Sequence, residues 1–141
     1  GGYGAFGGRL VQLLENDPRL TLLGAGRSWK KAHAFCEGRA TPKAHLVPAQ
    51  FDRDGDLARQ LEILRPNIVV DASGPFQAYG DRRHALIEAC IVARMHYLDF
   101  ADGADFVAGV GALDKAAAAA GISYPQLCQR MVELALGRAK K

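Results

Sequence analysis

Gly1-Gly2-Tyr3-Gly4-Ala5-Phe6-Gly7-Gly8-Arg9-Leu10-Val11-Gln12-Leu13-Leu14 opens the chain. Glycines 2, 4 and 7 form a G-x-G-x-x-G turn, and behind it Phe6, Leu10, Val11 and Leu14 recur at helical spacing. A turn of this kind lets the backbone bend tightly and approach a pyrophosphate at Gly2 and Gly4. At Gly7 it lets the helix pack closely, and the helix start offers unpaired N–H groups to an anion. The same letters also describe a flexible glycine-rich terminus, so the elements that follow decide between the two.

Asn16-Asp17-Pro18 stops that helix, and Leu20-Thr21-Leu22-Leu23 reads as a short buried strand ending in Gly24-Ala25-Gly26. Ser28 caps a predicted helix from Trp29 to about Cys36, and His45-Leu46-Val47 with Phe51 marks another strand region. Asp56 caps a helix over Leu57–Leu64, ended by Pro66, and Asn67-Ile68-Val69-Val70-Asp71-Ala72 reads as a buried strand. After the loop Ser73–Gly80 comes a helix from about Asp81 to Ala93, with Leu86, Ala89, Cys90 and Ala93 on one face, then a strand at His96–Phe100. A helix over 104–120, a short strand at Ile122-Ser123-Tyr124 and an amphipathic helix over 126–140 complete the pattern.

Strands alternating with helices imply parallel pairing, and the expected fold class is α/β, a Rossmann-type doubly wound parallel sheet. In such a fold the glycine turn follows a buried apolar strand, whereas this chain opens on the turn. The expected sheet therefore lacks its first strand. Either the N-terminus is truncated or that strand is supplied in another way, and its two neighbours should face an apolar trough.

With 141 residues, 49% hydrophobic and 23% charged, the chain has globular composition and length for one domain rather than two. The expected division is a dinucleotide-binding domain over 1–121 and a helical extension over 122–141, the start of a second domain or a divergent tail. No apolar run reaches the roughly 20 residues of a membrane span, and a cytoplasmic setting is expected. Cys36, Cys90 and Cys128 are odd in number and far apart, which suggests neither a disulfide framework nor a zinc site. His33, His45, His84 and His96 show no paired ligand spacing, so no metal is expected.

Net charge is +3, yet between Arg19 and Lys43 six Lys or Arg face the single acid Glu37. Dinucleotide sites that take NAD carry an acid at the end of the second strand, where it holds the ribose hydroxyls and repels a 2′-phosphate. Here no acid lies between Asp17 and Glu37. The strand runs instead into Gly26-Arg27-Ser28, with Lys30 and Lys31 behind, a set suited to clamping a phosphate. NADP is therefore preferred over NAD, while Lys30 and Lys31 could equally be solvated helix-surface charges. Trp29 and the loop aromatics form no stacking platform with the basic stretch, so no nucleic-acid partner is expected.

Several segments together look like one family: Gly1 to Gly7, Gly26-Arg27-Ser28, Asp71-Ala72-Ser73-Gly74-Pro75-Phe76 with Tyr79-Gly80, Ala89-Cys90, and Tyr97-Leu98-Asp99. Over about residues 1–121 the chain resembles the NADP-binding domain of saccharopine dehydrogenase-like oxidoreductases. The resemblance implies a Rossmann fold whose loop Ser73–Gly80 runs along the cofactor. The cofactor-binding candidates are then Gly2, Tyr3, Gly4, Ala5, Phe6, Gly7, Arg27, Ser28, Lys31, Ser73, Gly74, Pro75, Phe76 and Tyr79. A tight turn with Phe76 buried is the structural alternative for that loop. Where the family tends to place Gly-Glu after Tyr-x-Asp, this chain has Ala101-Asp102-Gly103, and Tyr124-Pro125-Gln126-Leu127-Cys128 departs from the family's continuation.

Asp99 and Asp102 follow the strand at His96–Phe100, where carboxylates could orient a substrate or move protons, and they are the catalytic candidates. The expected activity is hydride transfer at a C–N or C–O centre of a small molecule. A non-catalytic NADP-binding regulatory or interaction module, or a truncated fragment without turnover, stays open beside it, as do a homo-oligomer and a separate second domain.

Overall fold

Helix α1 (Ala5–Leu14) begins at Gly4, whose extended backbone carries no side-chain cap. The computed structural model describes residues 1–101 and 103–110. Of the apolar stripe expected on α1, Val11 is buried beside Gly7, whereas Phe6 is 69% exposed and stacks on Phe100 with ring centroids 5.9 Å apart.

Strand β1 (Thr21–Gly26) runs through the glycines expected to end it. Gly24 explains this: a side chain there would press on Cys36 Sγ at 3.0 Å, so glycine lets the next helix lie close to the strand. That helix, α2 (Trp29–Glu37), is capped by Ser28, whose hydroxyl accepts from the Lys31 N–H. It leads into β2 (His45–Gln50), which pairs parallel with β1 from Thr21↔His45 to Gly26↔Gln50. His45 and Phe51 donate to Leu20 and Gly26. Odd residues of β2 therefore face β1, and Pro48 turns its missing donor to the outer edge.

Helix α3 (Leu57–Leu64) is capped by Asp56, whose carboxylate accepts from the Arg59 N–H, and ends at Arg65 in the left-handed region. Strand β3 (Ile68–Asp71), helix α4 (Ala85–Val92) and strand β4 (His96–Asp99) follow, with β3 and β4 parallel in register Ile68↔His96 to Asp71↔Asp99. Leu57, Leu61, Leu86 and Cys90 form a core cluster, packed by Phe51, Val69 and Tyr97 among others.

The helix expected from Asp81 starts later. Residues Phe76–Arg82 form a 3-10 segment broken at Gly80, whose φ of 53° lies in the left-handed region. Arg53 Nη2 donates to the Arg83 carbonyl and Arg82 Nη1 to the Asp54 carbonyl, ties that hold this segment to the loop before α3.

The strands form two two-stranded parallel sheets, β1-β2 and β3-β4. A mixed α/β fold with parallel strands between helices is therefore present, although β3 is less buried than its sequence suggests. Ile68 is 53% exposed and only Asp71 is fully buried, because the edge away from β4 has no paired strand among the described residues. Residues 104–110 are helical, while Asp102, residues 111–120 of the expected helix, the strand expected at 122–124, Cys128 and the helix expected over 126–140 lie outside the described residues. Among the described residues no helix is long and apolar enough to cross a membrane.

Candidate functional site

The glycine turn is held against the end of β1. Gly2 N–H donates to the Ala25 carbonyl at 2.8 Å, and Gly4 N–H donates back to Gly1 at 3.0 Å. A Cβ on Gly2 would lie 2.7 Å from Ala25 N, and one on Gly7 would lie 2.3 Å from the Gly1 carbonyl oxygen. Backbone occupies both places, so only glycine lets turn, helix and strand approach this closely. The first-turn N–H groups of α1 have no side-chain cap, and the helix dipole adds partial positive charge there.

A cavity of about 570 Å³ lies beside this turn. It brings together nine of the residues expected from the sequence, Gly2, Tyr3, Gly4, Ala5, Phe6, Arg27, Ser73, Gly74 and Tyr79, and Gly1 lines it too. Arg27 is exposed, and its guanidinium makes no hydrogen bond or ion pair among the described residues. Tyr3 lays its ring over Gly26, and its hydroxyl accepts from the Ser28 N–H at 3.2 Å.

Other candidates stand outside the lining. Gly7 is buried behind the turn, Ser28 is engaged as a helix cap, Lys31 is exposed on α2, and Pro75 precedes the 3-10 segment. Phe76 is 3% exposed, its ring edge-on to Tyr79, which is the buried arrangement of the tight-turn alternative. Asp99 lies beside Asp71 in register, and its carboxylate accepts from the Ala101 N–H at 3.0 Å in a local turn.

Arg53, Asp54 and Asp71 also line the cavity and were not among the sequence candidates. Asp71, 4% exposed, is a hub. Arg53 Nε donates to its Oδ2 at 3.0 Å, Ser73 N–H and hydroxyl donate to its Oδ1, and Tyr97 hydroxyl reaches Oδ2 at 3.4 Å. Arg53 also stacks on the Tyr79 ring at 3.9 Å, and Tyr79 hydroxyl donates to the Ser73 carbonyl at 2.6 Å. The loop Ser73–Tyr79 is thus tied to the end of β3 from both sides. Among the described residues no buried side-chain polar atom lacks a partner.

Burial, reinforced by the charges of Asp71 and Asp99, pushes the Tyr97 hydroxyl well above the usual tyrosine range, so it stays a neutral donor. Burial and the Asp71 charge push the Cys90 thiol up to about 12. The sequence signal for the hub was thin: Arg53 sits in Asp52-Arg53-Asp54-Gly55, which reads as an ordinary polar turn.

Among the described residues no group of three or more His, Cys, Asp or Glu could hold a metal ion. Scans against protein-family models, curated proteins and solved structures find no significant match.

Proposed function

We propose that this chain is an NADP(H)-binding domain with a Rossmann-type arrangement, part of a saccharopine dehydrogenase-like oxidoreductase. One observation carries the reading. The glycine turn, the exposed guanidinium of Arg27 and the loop residues Ser73, Gly74 and Tyr79 line one cavity, which runs along β1 and β3 and has these residues at its end beyond the strands' carboxyl ends. Open α/β folds bind their ligands in that position.

The donor set fits the cofactor's anionic groups. Backbone N–H groups at the start of α1 would face the pyrophosphate, and Arg27 would hold the 2′-phosphate, a task that suits its planar, permanently charged fork. Ser73 and Gly74 would flank the cofactor, fixed in place by Asp71, Arg53 and Tyr79. When bound, NADP supplies the hydride-exchanging centre, while the chain supplies binding and orientation. The substrate class follows from the resemblance alone: a small molecule with a C–N or C–O centre. The domain assignment to residues 1–121, and a cytoplasmic setting, belong to the same proposal.

A second reading, a non-catalytic NADP-binding module, is favoured by Asp99, whose carboxylate is engaged with Ala101 rather than lining the cavity. Titration of the purified chain with NADPH and NADH by thermal shift tests the binding common to both. At about 100 times the dissociation constant, a ligand adds roughly 2.7 kcal/mol to a folded binder. Arg27→Ala should weaken NADPH far more than NADH; equal loss for both removes Arg27 from the 2′-phosphate site. Steady oxidation of NADPH with imines or carbonyl compounds separates the enzyme from the module.

A further inference from the structure

The two aromatic side chains of the glycine turn lie toward different strands. Tyr3 covers Gly26 of β1 and accepts from the Ser28 N–H, on the Arg27 side of the turn. Phe6 lies toward β4: its ring stacks on Phe100, one residue past that strand, with centroids 5.9 Å apart. Phe6 lines the cavity, whereas Phe100 stands outside the lining, and both side chains are exposed. Two rings left open to water at the rim of a cavity offer apolar area for a ligand to cover.

The apolar surface continues along the sheet. Val69 and Tyr97 pack on the core cluster, so Val70 and Leu98, paired in register, take the opposite face. Val70 lines the cavity and Leu98 is exposed beside it. Charge is engaged elsewhere. Among the described residues the cationic side chains lining the cavity are Arg27, beyond β1, and Arg53, which is held by Asp71 and the Arg83 carbonyl. The Asp99 carboxylate, between Leu98 and Phe100, accepts from the Ala101 N–H.

We propose that Phe6 and Phe100 seat the substrate, and that this substrate carries an uncharged aryl or alkyl group beside its C–N or C–O centre rather than the carboxylates of an amino-acid adduct. The inference rests on the NADP reading above. With the 2′-phosphate at Arg27 and the pyrophosphate at the start of α1, the half of the cofactor beyond the pyrophosphate extends to the Phe6 side. Phe6 backs that half, and Phe100 is the specificity-determining side chain, because it carries the apolar surface past the cavity to where the second reactant must lie. A substrate ring set on the pair removes apolar area from water and gains aromatic packing. A carboxylate set there loses water and gains no cation.

Saturation-transfer NMR on the full chain tests this with benzylacetone and levulinate, after the melting shift caused by NADPH has been recorded. Both probes are methyl ketones on the same short carbon arm, ended by phenyl in one and by carboxylate in the other. With NADPH bound, benzylacetone should bind about tenfold more tightly than levulinate. Phe100→Ala should weaken benzylacetone about fivefold while leaving the NADPH melting shift unchanged. Phe100→Lys, a second variant at this exposed position, should turn the preference toward levulinate. An NADPH shift with no benzylacetone binding, with levulinate bound equally or more tightly by the parent chain, or with binding that neither variant alters overturns the seat and leaves the cofactor reading standing. Absence of any NADPH shift overturns the cofactor reading and this inference with it.

Discussion

Replacing Arg53 by Met isolates the ion pair at the centre of the loop anchor. The Arg53 and Asp71 side chains are 9% and 3% exposed, and the Nε to Oδ2 distance is 3.0 Å. Methionine keeps much of the apolar length but leaves the Asp71 carboxylate buried, with Ser73 and Tyr97 as its remaining partners. It also removes the donor to the Arg83 carbonyl and the cation over the Tyr79 ring. Breaking a buried pair from one side costs about 3–5 kcal/mol, a large part of a small domain's stability. With a urea m-value of about 1.5 kcal/mol/M, the unfolding midpoint should fall by roughly 2–3 M, read by circular dichroism. The double variant Arg53→Met with Asp71→Asn should recover part of the loss, because no unpaired charge stays buried. A single-variant cost below about 1 kcal/mol, or a double variant worse than the sum of the singles, would refute the reasoning.

Gly7→Ala places a methyl 2.3 Å from the Gly1 carbonyl oxygen. It should cost about 1–3 kcal/mol and lower the melting temperature by several degrees; an unchanged melt would mean that the turn yields freely. Ser28→Ala removes the cap of α2 and should cost about 1 kcal/mol in urea unfolding, with Ser28→Thr nearly neutral. Cys90 should resist alkylation at pH 8 until the chain unfolds. Its folded pKa is raised, so the unfolded thiol ionises first, and its contribution to stability, whole below about 9, is lost as pH rises toward about 12. Melting curves across that range should fall less steeply for Cys90→Ala than for the parent chain.

Local chemistry was legible along the chain. The cap side chains of Ser28 and Asp56 each accept from the N–H three residues on, as their positions suggest, and α1, α2, α3 and the four strands fall close to their expected bounds. Such features depend on side chains two to four residues apart, and period and capping encode them directly. The late start of α4 was less legible, because Gly80 and the long-range ties from Arg53 and Arg82 break the helix pattern from outside it.

What the sequence determined by itself is therefore the order of helices and parallel-type strands, the glycine turn at the head of α1 and the absence of an acid beside Arg27. Only the tertiary structure decided that Arg53, 18 residues before Asp71, anchors the loop after β3. It alone decided that Phe76 turns inward and that, among the described residues, β1 and β3 each have one edge with no paired strand, both beside one cavity. The physical reason is range. Backbone periodicity and caps act over a few residues, whereas a buried charge finds its partner, and a strand edge its neighbour, only when distant segments pack together.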